Sequence, residues 1–198
     1  MARRERSRLP APERRRQIIE AATALVAERG FWGLSMQDVA DACGLTVPGL
    51  LHHVGSKDGL LIAVLEHRDA EDHRAIGDPP PSDLRALCAA LVRRNATQPE
   101  IVRLFAVLAA ESLAPDHPAH DYFAARQQGV LDALTALAKP VSARPEALAR
   151  QIIATMDGLQ LQWLRAPAGT DLVAMWEAAA QMLFAGPTAS AGRPARSR

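Results

Sequence analysis

An all-α fold of about nine helices is the architecture this chain predicts, and three observations carry it. Aromatic residues make up only 4% of the sequence while Ala and Leu abound, a balance that favours helices over sheets. Apolar residues recur at helical spacing in one segment after another. Between those segments stand Gly, Pro, Ser, Thr and Asp, at the places where helix caps and breaks belong. β-branched runs and hairpin dipeptides such as Asn-Gly are missing.

Pro12 and Glu13 suit the opening turn of a first helix. Ile18, Ile19, Ala22, Leu25 and Val26 form its apolar stripe, and Gly30 is expected to stop it in a left-handed cap. Ser35 begins a second helix, with Asp38 as its capping-box partner. Met36, Val39, Ala40 and Cys43 make its buried face, and Gly44 ends it. Leu45 lies in a short turn, Thr46 caps a third helix, and Gly55 stops that one. Ser56 caps a fourth helix from Lys57 to about Arg74. The run Gly77-Asp78-Pro79-Pro80-Pro81 then breaks the pattern, which resumes at about 83–96, 99–113, 119–138, 145–165 and 170–185. From Gly186 onward the chain is rich in Gly, Pro, Ser and Arg and reads as disordered.

The net charge of +1 conceals an uneven distribution. Residues 1–16 carry seven arginines against Glu5 and Glu13, and the tail adds Arg193, Arg196 and Arg198. The stretch 61–186 holds 11 basic and 15 acidic residues. Basic ends on an acidic body fit either an end that meets a polyanion or two solvated tails. No apolar run approaches the roughly 18 residues that a membrane span needs. The basic N-terminus does not read as a signal peptide, because Glu20 and Glu28 interrupt the apolar segment behind it. A cytoplasmic protein is expected. Cys43 and Cys88 have no metal-ligand spacing and read as buried thiols.

Two short helices joined by a tight Gly-containing turn make a helix-turn-helix. The third helix is too short to stand alone. Leu50 and Val54, four apart, can pack inward on the two helices before it. That turns Val47, Pro48, Leu51 and His52 outward, a face with no acidic residue that suits the major groove of DNA. His52 and His53 fail as metal ligands, since neighbours on a helix point about 100° apart and no third ligand is near. They fail as core residues because the inward positions are taken. His52 therefore reads as a contact to base edges, with idle surface as the alternative.

The segment from Gly30 to Thr46 (GFWGLSMQDVADACGLT), followed by Leu50 to Leu61 (LLHHVGSKDGLL), resembles the tetracycline-repressor (TetR) family of bacterial transcriptional regulators. Asp157 to Leu164 (DGLQLQWL) is similar to the dimerisation helix of many members. The chain departs from the family pattern at Leu51, where an aromatic is usual, at Val54, often Phe, and at Pro48-Gly49, in place of a Gly-Thr-type pair. The resemblance implies phosphate contacts at Ser35, Thr46, His53 and Lys57. Free amides at helix N-termini favour an anion beside Ser35 and Thr46. Lys57 opens a helix, where a cation opposes the dipole, so a partner outside the protein is expected for it. Gln37 is a further candidate contact, and the arginines at 3–8 could follow a groove.

One helix-turn-helix covers few base pairs, and two-fold dimers read two half-sites. The expected dimerisation residues are Ile152, Ala154, Met156, Gly158 and Leu159, with Leu172, Met175, Trp176 and Leu183 on the last helix. Gly158 inside a helix costs about 1 kcal/mol relative to Ala, which close approach of a second helix would offset. The same stripes could instead close the core of one protomer. Helices four to seven form the expected sensor, with His67, Phe105, Leu108, Glu111, Tyr122, Arg126 and Trp163 as candidate ligand contacts, although each of these residue types more often serves ordinary packing or surface. Glu111 with His117 and His120, or His67 with Asp72 and His73, lacks a metal site's spacing on one helical face. No metal or other cofactor is expected.

The organisation that follows is a basic arm at 1–10, a helix-turn-helix domain at 11–56, a ligand-binding and dimerisation domain at 57–186, and a basic tail at 187–198. The function expected is that of a homodimeric repressor that binds a near-palindromic operator in double-stranded DNA and is released by a small-molecule effector, with no membrane partner. The alternative is an all-helical carrier or enzyme that does not bind DNA. No nucleophile–base pair, phosphate loop or metal signature supports catalysis.

Overall fold

The computed structural model describes residues 9–29, 33–77 and 83–185. The expected cap at Gly30, the break at 78–81, the arm at 1–8 and the tail at 187–198 lie outside the described residues. Among the described residues there are nine helices and no strand. They are α1 (Ala11–Arg29), α2 (Met36–Ala42), α3 (Val47–Val54), α4 (Lys57–Ile76) and α5 (Leu84–Ala96), then α6 (Pro99–Glu111), α7 (His120–Ala138), α8 (Pro145–Arg165) and α9 (Leu172–Leu183).

The helix starts follow from side-chain capping. At α2 the Asp38 amide donates to Ser35 Oγ at 3.1 Å, and the Ser35 amide donates to Asp38 Oδ2 at 3.0 Å, a closed capping box. Thr46 Oγ1 accepts from the Gly49 amide at 3.2 Å, and Ser56 Oγ from the Gly59 amide at 2.9 Å. Asp83 and Asp171 cap α5 and α9 in the same way. The turn out of α2 uses Gly44 at φ +65°, and α3 ends at Gly55 at φ +76°. Helix α4 runs two residues beyond its expected end, to Ile76 before Gly77. Helix α6 stops at Glu111 rather than at 113.

Two apolar cores form. The first joins Ile18, Ala22 and Val26 of α1 to Val39 and Ala40 of α2 and to Leu50 and Val54 of α3. Leu60, Leu61, Val64 and Leu65 of α4 belong to it, with Leu104 and Leu108 of α6. Packing thus runs straight across residue 57, where the sequence suggested a boundary. The second core gathers Leu87 and Cys88 of α5, Leu131 and Leu134 of α7, Ile152 and Trp163 of α8, and Trp176 of α9.

The C-terminal half of α4 is held by polar contacts instead. Asp72 Oδ1 accepts from Arg68 Nη2 at 2.9 Å and also from Arg94 Nε of α5. Asp69 accepts from Arg126 Nε at 3.0 Å and from the Tyr122 hydroxyl, both on α7. The Arg94–Asp72 and Arg126–Asp69 pairs are partly exposed, at 22%/18% and 36%/24%, so removing one partner costs less than the about 3–5 kcal/mol of a fully buried pair. Exposed pairs such as Arg150–Glu146 contribute about 0–1 kcal/mol. The Asp72 and Asp69 contacts therefore fix α4 to the body, and the surface pairs do not. No helix among the described residues is long and apolar enough to cross a membrane.

Both cysteines are buried, and burial pushes the Cys88 thiol up to about 12. A thiolate-directed reagent at pH 8 is expected to leave both thiols intact in native protein and to modify both after unfolding. Ile152→Ala, at a fully buried site, should cost about 2–5 kcal/mol, read as a lower urea midpoint with unchanged slope.

Candidate nucleic-acid interface

Helix α3 has eight residues, and its fold depends on what lies behind it. Leu50 and Val54 are buried against α1, α2 and α4. Pro48 and His52 are exposed, and Leu51 is half-exposed and belongs to neither core. Val47 departs from expectation: it is half-buried and packs against the first core, because the first turn of α3 leans on α2. The outward face is therefore Pro48, Leu51 and His52.

Ser35 and Thr46 are exposed at the N-termini of α2 and α3. Each already accepts a backbone amide as a cap, and the helix dipole there still favours an anion. Gln37 is exposed, and its amide nitrogen donates to Asp41 Oδ1 at 2.7 Å, one turn along the same helix. Lys57 Nζ donates to the Leu34 carbonyl at 3.0 Å. The expectation that its partner lies outside the protein is corrected to that extent: the ammonium bridges the start of α4 to the segment before α2. The His53 ring is half-buried and stands edge-on to His52, with centroids 5.5 Å apart.

Arg15 was not singled out from sequence as a contact. Its Nη1 donates to the His53 carbonyl at 2.9 Å, which places an exposed guanidinium beside the C-terminus of α3. The only signal for it was the excess of positive charge in residues 1–16. Arg15 closes the last turn of the reading helix and adds a cation beside it.

The expected ligand contacts do not form one site. Phe105, Tyr122 and Arg126 do come together, with Asp69 and Phe123, which sequence reasoning missed. The Arg126 guanidinium lies 5.0 Å from the Phe105 ring centroid, and Phe105 and Phe123 meet edge-on at 5.9 Å. Burial, and then the hydrogen bond to Asp69, pushes the Tyr122 hydroxyl pKa up. These groups satisfy one another. Leu108 is fully buried in the first core and Trp163 is buried in the second, so both serve packing. Glu111 is exposed, 3.9 Å from His117 Nε2. His67 lies apart, on a cleft of about 370 Å³ between α1, α4, α5 and α6.

The expected dimerisation set also divides. Ile152, Leu172 and Trp176 are buried inside the protomer, because the side of α8 and α9 that carries them faces α5, α6 and α7. Met156, Leu159, Met175 and Leu183 are half-buried at the border. Ala154 is exposed, and a Cβ built on Gly158 would meet nothing within 4 Å. With Leu161, 48% exposed and inside the segment similar to a dimerisation helix though not singled out there, they line one outer face of α8 at i, i+4 and i+7. Met182 of α9 is 76% exposed and was also missed.

A family model described as "Bacterial regulatory proteins, tetR family" matches residues 18–64. The HTH-type transcriptional activator FasR of Mycolicibacterium smegmatis is 40% identical over 60 residues, 30% of this chain and 27% of that protein. The HTH-type transcriptional regulator BetI of Burkholderia lata is 31% identical over 167 residues, 77% of this chain and 81% of that protein. This chain thus spans about a quarter of the first relative and about four-fifths of the second. Among solved structures, a TetR transcription regulator from Haloarcula marismortui superposes with a TM-score of 0.74 at 18% identity, over 86% of this chain and 96% of that one. AibR, in complex with isovaleryl coenzyme A and operator DNA, superposes with a TM-score of 0.62 at 24% identity, over 86% of this chain and 98% of that one. At such identities the two structures establish the fold.

The junction between α3 and α4 rests on a missing side chain. A Cβ on Gly59 would overlap the Val54 carbonyl oxygen, well inside van der Waals contact, while a Cβ on Gly129 in α7 would meet nothing. Gly59→Ala is expected to lower the melting temperature and weaken any DNA binding. Gly129→Ala should instead stabilise by about 0.5–1 kcal/mol through helix propensity alone.

Proposed function

The chain belongs to the tetR family of bacterial regulatory proteins, and within that family we propose that it is a homodimeric repressor of the cytoplasm, released from its operator by a small molecule. The observation that carries this reading is the outward face of α3. Pro48, Leu51 and His52 project from a helix whose inner face is fully committed to the core, with cap residues Ser35 and Thr46 exposed beside it. A groove-reading helix needs that division of labour.

In this proposal α3 lies in the major groove. Leu51 offers apolar contact to a thymine methyl, and His52 hydrogen-bonds a base edge. Phosphates meet Thr46, Ser35, His53 and the cations Lys57 and Arg15. Two copies pair through the outer face of α8 and α9 around Ala154, Gly158, Leu161 and Met182, so that two reading helices meet successive half-sites. Helix α4 shares a core with the reading head and its ionic contacts with the body, so a tilt of α4 changes the distance between heads. A ligand that prefers the tilted state about 100-fold supplies roughly 2.7 kcal/mol toward release. AibR, of the same fold, is solved with both a coenzyme A ester and operator DNA, which supports reading the fold as one that holds both.

Gel retention of host genomic fragments across salt concentrations tests the reading. The logarithm of affinity should fall linearly with the logarithm of salt. Lys57→Ala should weaken binding to all sequences alike and reduce that slope by about one. Leu51→Ala and His52→Ala should alter sequence preference while leaving the melting temperature near that of the parent protein. Retention that is absent, or indifferent to salt, would favour a carrier or enzyme instead.

A further inference from the structure

The cleft between α1, α4, α5 and α6 holds an unusual charge arrangement. Its floor is made by Arg68, with 7% of its side chain exposed, and Arg94, with 22%. Both guanidiniums lean on one oxygen of Asp72, and Arg68 also feels the carboxylates of Glu71 and Asp69. The Arg68 Nε is buried and has no hydrogen-bond partner among the described residues, and Arg94 has no partner there beyond Asp72. An unpaired buried donor is costly, and most such groups in native proteins are satisfied.

A second feature points the same way. Gln98 stands at the N-cap of α6, yet its side-chain oxygen accepts from Arg68 and makes no cap. The N-terminus of α6, beginning at Pro99 and passing through Ile101 in the cleft wall, is left without a side-chain acceptor. Its first turn carries Glu100, which pairs with Arg103 at 2.7 Å, and the amides behind Pro99 and the helix dipole still favour an anion. The acidic residues of the cleft, Glu20 and Glu71, lie nearer solvent and have cations of their own: Glu71 pairs with Arg74 at 2.6 Å and Glu20 with Arg16 at 3.8 Å. The acids of the mouth are thus paired with cations outside the cleft, and the two guanidiniums of the floor share Asp72.

We propose that this cleft binds a small molecule through one oxyanion head group, a carboxylate or a phosphate, received by Arg68, Arg94 and the start of α6. The volume of about 370 Å³ suits a small-molecule ligand. One wall, at Glu20 and Ala24, belongs to α1 of the reading head, and the others belong to α4, α5 and α6. An occupant therefore touches head and body together and biases the tilt of α4. This deepens the regulator reading and rests on it for its consequence, though not for the binding itself.

The test is made on the full chain without DNA. Sodium phosphate and sodium acetate are titrated at constant ionic strength, followed by calorimetry and by the Nε–H resonances of Arg68 and Arg94. Saturable binding of at least one probe, with movement of those two resonances, is expected, and the tighter probe identifies the head group. Arg94→Gln should weaken it about tenfold or more, as loss of a charged hydrogen-bond donor implies. Arg150→Gln, on the far face of α8, should change nothing. Failure of both probes to saturate, or unchanged affinity in Arg94→Gln, overturns the proposal. A parallel gel-retention arm separates the two readings. DNA retention with no saturable probe leaves the regulator and removes the site, whereas saturable binding in a protein that never retains DNA keeps the site and removes the regulator.

Discussion

Helix α4 is the member on which the rest of the molecule depends, because two kinds of chemistry grip its two halves. Its first half gives Leu60, Leu61, Val64 and Leu65 to the core beneath the reading head. Its second half gives Asp69 and Asp72 to guanidiniums on α7 and α5. Apolar burial is non-directional and tolerates small rotations, whereas an ion pair with fixed hydrogen bonds does not. In the proposed regulator, a displacement that starts among the polar contacts would be transmitted along a stiff helix into a core that can accommodate it by repacking.

The reading helix is a product of that support. Eight residues cannot hold helical form in water by propensity. Leu50 and Val54 anchor α3 from behind, Thr46 closes its start, and Arg15 reaches across from α1 to its last turn. Gly59 lets α4 begin directly against the end of α3. Lys57 adds a strut to the Leu34 carbonyl. A group expected to serve the nucleic acid thus also serves the fold, and its position is set before any partner arrives.

Helix order and most helix ends were legible in the sequence because caps act locally. Ser35 with Asp38, Thr46, Ser56, Gly44 and Gly55 work within four residues of their targets, so their chemistry can be read directly. The outward face of α3 was legible for the same reason, apart from Val47. Less legible was which side of an apolar helix meets what. Ile152, Leu172 and Trp176 were read as dimer contacts or as closure of one protomer's core, and they lie inside, since a stripe of apolar residues carries no mark of its partner. Phe105, Tyr122 and Arg126 do assemble, but the residue that organises them, Asp69, is 53 positions before Tyr122. Leu108 and Trp163 fell into separate cores for the same reason: long-range partners leave no local periodicity.

The side chains that hold α3 in place and those that face away from the protein are almost disjoint sets. Pro48, Leu51 and His52 enter neither core, and Leu50 and Val54 offer nothing to the outside. Substitution at the outer positions consequently leaves foldability nearly untouched. If these outer positions read the groove as proposed, a lineage carrying this scaffold can drift among target sequences one residue at a time, with its specificity free to evolve faster than its architecture.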